Sequence, residues 1–146
     1  QQHGIPTPFI QENHSGSVQG VLRGLHYQIE YPQGKLIQVL QGSIYDVSVD
    51  LRQHSPYFKQ WFGIQLSAAN HHFLWIPPGF AHGFYVTSPW SEIIYKTTNY
   101  YHPEFEKTLR WNDPDLNITW PLSGEPVLSQ KDANGLLLCE TPVYTE

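Results

Sequence analysis

Twelve prolines and 11 glycines break the chain so often that no window sustains the 3.6-residue periodicity of a long helix. A helical bundle is thereby excluded. What recurs instead are short runs rich in β-branched and aromatic residues between turn signals, at 21–28, 35–41, 43–51, 60–66, 72–76, 81–87 and 91–98. This rhythm predicts an antiparallel β-barrel or sandwich. Gly42, between two runs, predicts a tight hairpin, and Ser55-Pro56 and Pro77-Pro78-Gly79 predict longer turns. After Thr98 the sequence predicts a loop-rich tail with a helical turn or two.

The 146 residues match the size of one domain, and no repeat or boundary divides them. With 8 Lys+Arg against 13 Asp+Glu, a net charge of −5, the chain lacks the cationic field that nucleic acid or an anionic membrane surface selects. No stretch approaches the ~18 apolar residues of a membrane helix, and the first nine residues lack a signal-peptide pattern. The lone Cys139 closes no internal disulfide, which suits a reducing compartment and leads us to expect the cytoplasm. No Met occurs, even at position 1, so a missing N-terminal part is expected. The sequons at Asn13 and Asn117 carry little weight beside these signals.

Within 44–51, Ile44, Asp46, Ser48 and Asp50 share one face of a strand while Tyr45, Val47, Val49 and Leu51 share the other. The polar face either meets water or lines a wet pocket inside a barrel, and the strand alone leaves both open. Eight His make metal binding the first chemistry to test. No His-x-His pair presents two rings to one ion, adjacent His71 and His72 would point apart in a strand, and a single Cys offers no thiolate pair. We therefore expect no metal and no other cofactor. Arg23, His26, Lys35, His82, Tyr95, Tyr101, Lys131 and Asp132 remain as polar candidates. In a regular strand Arg23 and His26 face opposite sides, unless Gly24 marks a bulge that brings both inward.

The segments Val21-Leu-Arg-Gly-Leu-His-Tyr-Gln28, Gln33-Gly-Lys-Leu36, Asp46-Val-Ser-Val-Asp-Leu-Arg52 and Leu74-Trp-Ile-Pro-Pro-Gly-Phe-Ala-His-Gly-Phe84 carry a resemblance. With Tyr95-Lys96, Asn99-Tyr-Tyr101, Trp111-Asn-Asp-Pro-Asp-Leu116, Trp120-Pro121 and Leu128-Ser-Gln-Lys-Asp132, in that order, nearly the whole chain resembles the dTDP-4-dehydrorhamnose 3,5-epimerase family. The resemblance implies an all-β, cupin-like jelly roll over 1–146 with a partly helical tail, a homodimer without metal, and a dTDP-linked 4-keto-6-deoxy sugar as substrate. One pattern is absent: the family's Gly-Asp-x-Arg-Gly-Phe-Phe segment would lie before Gln1.

By motif, the resemblance implies His26 as general base, Asp132 as the residue orienting it, and Tyr95 as general acid. It places Lys35 near the C4 oxygen and His82 in the same pocket. It also implies that Gln11, Asn13, Arg23, Glu106 and Lys131 hold the dTDP-sugar and that Tyr101 stacks on thymine. The chemistry is consistent, because a C4 keto group acidifies C3–H and C5–H, and inversion needs a base on one face and a donor on the other. His, with an ordinary pKa of about 6.5, suits the first task and Tyr, at about 10, the second. A 3- or 5-epimerase of another deoxysugar and a non-catalytic nucleotide-sugar-binding cupin remain the alternatives. A metal-dependent cupin oxygenase would need the missing His pair.

Overall fold

A computed structural model describes residues 4, 5 and 7–146. The expectations about the N-terminal nine residues and the 1–146 span fall partly on Gln1, Gln2, His3 and Pro6, which lie outside the described residues. Among the described residues nine strands follow in order: β1 Gln11–Val18, β2 Leu22–Gln28, β3 Lys35–Gln41, β4 Ser43–Asp50, β5 Trp61–Ser67, β6 Phe73–Ile76, β7 Phe80–Val86, β8 Trp90–Thr97 and β9 Glu106–Thr108. One helix, α1 Gln130–Ala133, and short 3₁₀ turns occupy the tail. No helix among the described residues is long and apolar enough to cross a membrane.

The strands form two antiparallel sheets, ordered β1-β8-β3-β6 and β5-β4-β7-β2-β9. Alternation in β3 sends Ile37 and Val39 inward, where they meet Ile44, Leu66, Phe84, Val86 and Ile93 from both sheets. The other face of the five-stranded sheet is equally apolar: Leu22, Leu25, Val47, Val49 and Leu51 lie under Leu109, Leu116, Trp120 and Leu138 of the tail. The expected all-β, cupin-like architecture is present, with the tail sealing one sheet. The tail's loops are held by specific bonds, for Asp113 accepts from the backbone N–H groups of Asp115, Leu116 and Leu138 at 2.8–3.0 Å.

The hairpin expected at Gly42 is not formed. β3 and β4 belong to different sheets, so Gly42, at φ +76°, turns a corner between layers instead of closing a ladder. A Cβ there would run into the Trp90 carbonyl and the Ser88 hydroxyl, so the corner requires glycine. His72 likewise precedes its expected strand, which begins at Phe73.

The polar face of β4 is internal. Asp46 is 0% and Asp50 1% exposed, and both lie opposite the face that packs under the tail. Asp50 is absorbed by Arg52 and Ser55 at 2.5–3.0 Å. Asp46 instead bonds His82, which lines a cavity between the sheets.

Candidate active site

The cavity, about 380 Å³, has one wall from each sheet. From the five-stranded sheet come Arg23 and His26 on β2, His82 on β7 and Glu106 on β9. The four-stranded sheet supplies Gln11 and Asn13 on β1, Lys35 on β3 and Tyr95 on β8. Tyr101 and Lys131 complete the lining. Every residue anticipated for the site therefore lines it except Asp132, which stands behind His26.

Gly24 makes this possible. Arg23 pairs with Phe84 and His26 with His82, so three steps along β2 match two along β7 and one residue is extra. The bulge brings Arg23 and His26 to the same wall, the alternative that Gly24 had left open in the sequence. Gly24 sits at φ +116°, and a Cβ on it would lie 2.6 Å from Gly83 Cα and 2.7 Å from the His82 carbonyl oxygen. No larger residue fits.

His26 Nε2 lies 2.5 Å from Asp132 Oδ1. A carboxylate only accepts, so Nε2 carries the proton and Nδ1 is left with its lone pair toward the cavity. Ser129 caps α1 by accepting the Asp132 N–H at 3.2 Å, and this cap fixes the carboxylate's position. Burial alone would push the Asp132 carboxyl up, but hydrogen bonds from His26, the Gly24 backbone and Ser129 outweigh it and hold the group below the ordinary range. Glu106 Oε1 stands 3.9 Å from His26 Nδ1 and 2.6 Å from Lys131 Nζ. Burial opposes the Glu106 charge too, yet Lys131, Tyr101 and His26 keep it ionised below the usual carboxylate pKa.

Lys35 is driven the other way. Burial pushes its ammonium down to about 8, and Lys131 adds to that, while Glu106 and Asp46 oppose it. The Tyr95 phenol is raised by burial and by Glu106, and is restrained by a hydrogen bond with Asn13 and by Arg23 and Lys131. Tyr101, bonded to Glu106, is pushed up to about 12. Arg23 uses Nε for Ser17 Oγ at 3.1 Å.

Sequence reasoning missed two residues. Asp46 Oδ2 holds His82 Nε2 at 2.7 Å, a second His–Asp pair beside the first, since His26 and His82 are register partners. The polar face of 44–51 was the available signal, unreadable until its side was known. Gln28 holds the loop bearing Tyr101, donating to the Tyr100 carbonyl at 3.2 Å and accepting the His102 N–H at 2.7 Å. Nothing in a lone Gln announces that.

A two-sheet cupin-like barrel with a carboxylate-held imidazole facing a partly buried phenol defines the class. The family model for dTDP-4-dehydrorhamnose 3,5-epimerase matches residues 1–140. A dTDP-4-dehydrorhamnose 3,5-epimerase of Pseudomonas aeruginosa is 55% identical over 141 residues, covering 97% of this chain and 78% of the relative. The crystal structure of dTDP-6-deoxy-D-glucose-3,5-epimerase from Legionella pneumophila, in complex with dTDP-4-keto-L-rhamnose, superposes with a TM-score of 0.95 at 49% identity, covering 98% of this chain and 78% of that one. A dTDP-4-dehydrorhamnose 3-epimerase of Streptomyces niveus is more distant, at 37% identity over 94% of this chain and 66% of the relative. The chain belongs to the dTDP-4-dehydrorhamnose 3,5-epimerase family.

Proposed function

We propose that this chain is an isomerase converting dTDP-4-dehydro-6-deoxy-D-glucose to dTDP-4-dehydro-L-rhamnose by inversion at C3 and C5. The observation that carries the reading is the placement of His26, backed by Asp132, on one wall and Tyr95 on the facing wall of a single cavity. His26 Nδ1 removes a proton from the carbon beside the keto group, and the electron pair moves onto the C4 oxygen. Asp132 stabilises the imidazolium that results. The Tyr95 hydroxyl returns a proton to the opposite face of the carbon, its phenolate is reprotonated by solvent, and His26 releases its proton to solvent. Repetition at the second carbon completes the reaction. The C4 keto group supplies the acidity, so no cofactor is needed.

Lys35, with its ammonium among buried groups, stabilises the enolate oxygen, where a preorganised cation is worth most. His82, held by Asp46, contacts the sugar. Arg23 and Lys131 take the diphosphate, Gln11, Asn13 and Glu106 contact the substrate, and the exposed Tyr101 ring stacks on thymine. The 1–146 span acts as one cupin-like domain within a cytoplasmic homodimer. The free, exposed thiol of Cys139 suits a reducing compartment.

The test is NMR of dTDP-4-dehydro-6-deoxyglucose incubated with the protein in D₂O. Deuterium at both C3 and C5 is expected. Deuterium at one carbon only would assign a mono-epimerase, as in the Streptomyces niveus relative's name, and none would leave a nucleotide-sugar-binding cupin.

A further inference from the structure

Gln28, the last residue of β2, is anchored by its own backbone, which is in register with Glu106 of β9 and whose carbonyl accepts the Tyr144 hydroxyl. Its side chain is 3% exposed and reaches two loops, the one that follows β2 and the one that carries Tyr101. The partners force the roles of the amide. The His102 backbone N–H can only donate, so the atom 2.7 Å from it is Oε1, and the Tyr31 and Tyr100 carbonyls, 2.9 and 3.2 Å from Nε2, can only accept. Two hydrogens on Nε2 meet two carbonyls, which leaves the amide no donor for a ligand.

These bonds converge on Tyr101. Gln28 holds the carbonyl before it and the N–H after it, and its own N–H donates to Gln11 Oε1 at 2.9 Å. The loop is tied again at Asn99, whose carbonyl accepts from Gln33 at 2.9 Å and whose Nδ2 donates to the Pro32 carbonyl at 2.9 Å. Tyr101 itself is 49% exposed, so packing covers only part of it and the clamped backbone sets where its ring leaves the chain. We propose that Gln28 is a positioning residue for nucleotide binding, which presets the Tyr101 ring for the base by fixing the peptide groups on either side of it. The inference rests on the reading of Tyr101 as the ring that stacks on thymine. A loop ordered in advance loses little freedom when the ligand arrives, so more of the stacking energy appears as affinity.

The experiment titrates each variant calorimetrically with dTDP and with pyrophosphate, circular dichroism verifying the fold. Gln28→Met keeps the length of the side chain and removes the amide. Gln28→Asn keeps the amide but shortens its reach by one carbon, and it decides the matter if the first variant does not fold. Tyr101→Ala should weaken dTDP about tenfold, the loss of one stacking ring. Gln28→Met should weaken dTDP about fivefold or more and leave pyrophosphate, which has no base, unchanged. With dTDP-4-dehydro-6-deoxyglucose it should raise KM by that factor and hold kcat within about twofold. Added to Tyr101→Ala, Gln28→Met should weaken dTDP no further, because no ring is left to position.

Gln28 also borders the cavity, and the double variant separates positioning from contact: additive losses would overturn the inference and make Gln28 act apart from Tyr101. Equal weakening of dTDP and pyrophosphate would overturn it too, as the mark of a general distortion. Unchanged dTDP affinity in a folded Gln28 variant, with Tyr101→Ala still weakened, would overturn the inference and leave the stacking reading standing. If Tyr101→Ala binds dTDP as wild type does, the stacking reading fails and the inference fails with it.

Discussion

Lys35 shows how one side chain's surroundings set its chemistry. Its neighbours include a buried carboxylate, Asp46, and the half-buried Glu106, yet burial dominates and brings its pKa down to about 8. If its ammonium steadies the enolate, kcat/KM should fall as pH rises through about 8, because deprotonation removes the cation. Tyr95, raised above the ordinary phenol value, stays protonated across that window, so the limb belongs to Lys35. Lys35→Arg should retain part of the activity and lose this limb, since a guanidinium stays charged throughout. A limb near 8 that persists in Lys35→Arg would assign it elsewhere. At this scale the sequence was legible through motif resemblance, which pointed to His26, Asp132 and Tyr95, and the structure brings His26 and Tyr95 to one cavity with Asp132 bonded to His26. Asp46 was not, since a carboxylate in a strand looks the same whether it faces water or a neighbouring imidazole.

Among the elements, β2 is the one on which the site depends. Its bulge lets a single strand present both an arginine and a histidine, and Gly24 is the residue that permits it. Gly24→Ala places a methyl against the Gly83 backbone at a positive φ, so a loss of about 2 kcal/mol or more is expected. Thermal unfolding should show a lowered Tm, with deuterium exchange falling by a larger factor than stability alone explains. A variant with unchanged Tm and exchange would contradict the fit. The bulge could be conjectured from sequence because a glycine interrupts two polar residues that otherwise diverge. β1 could not be found, for Gln11-Glu-Asn-His-Ser-Gly-Ser-Val18 has no alternation of apolar with polar residues. Its inward face lines a polar cavity and its outward face is open, so both sides read as loop. β9 is only three residues long and carries no pattern of its own. Gly42 misled because a turn glycine joining strands of one sheet and one joining strands of two sheets have the same local signature.

Across the whole molecule, the tail buries the outer face of the five-stranded sheet, while among the described residues the outer face of the four-stranded sheet has no such cover. There Val18, Leu40, Phe73 and Trp90 are 40–59% exposed. Such a surface favours association of two copies, as the homodimer reading requires. Sedimentation equilibrium should return about twice the 16.9 kDa chain mass, and Phe73→Asp should shift it toward that of one chain. A single-chain mass at all concentrations would contradict the dimer.

The whole account turns on His26 as the one base serving both carbons. Deuterium incorporation into dTDP-4-dehydro-6-deoxyglucose by His26→Asn, with the fold verified by circular dichroism, is the most direct measurement of it. Exchange at C3 and C5 should both fall by about 10² to 10⁴, the loss typical of an absent general base. Exchange within a few-fold of wild type at either carbon would contradict it.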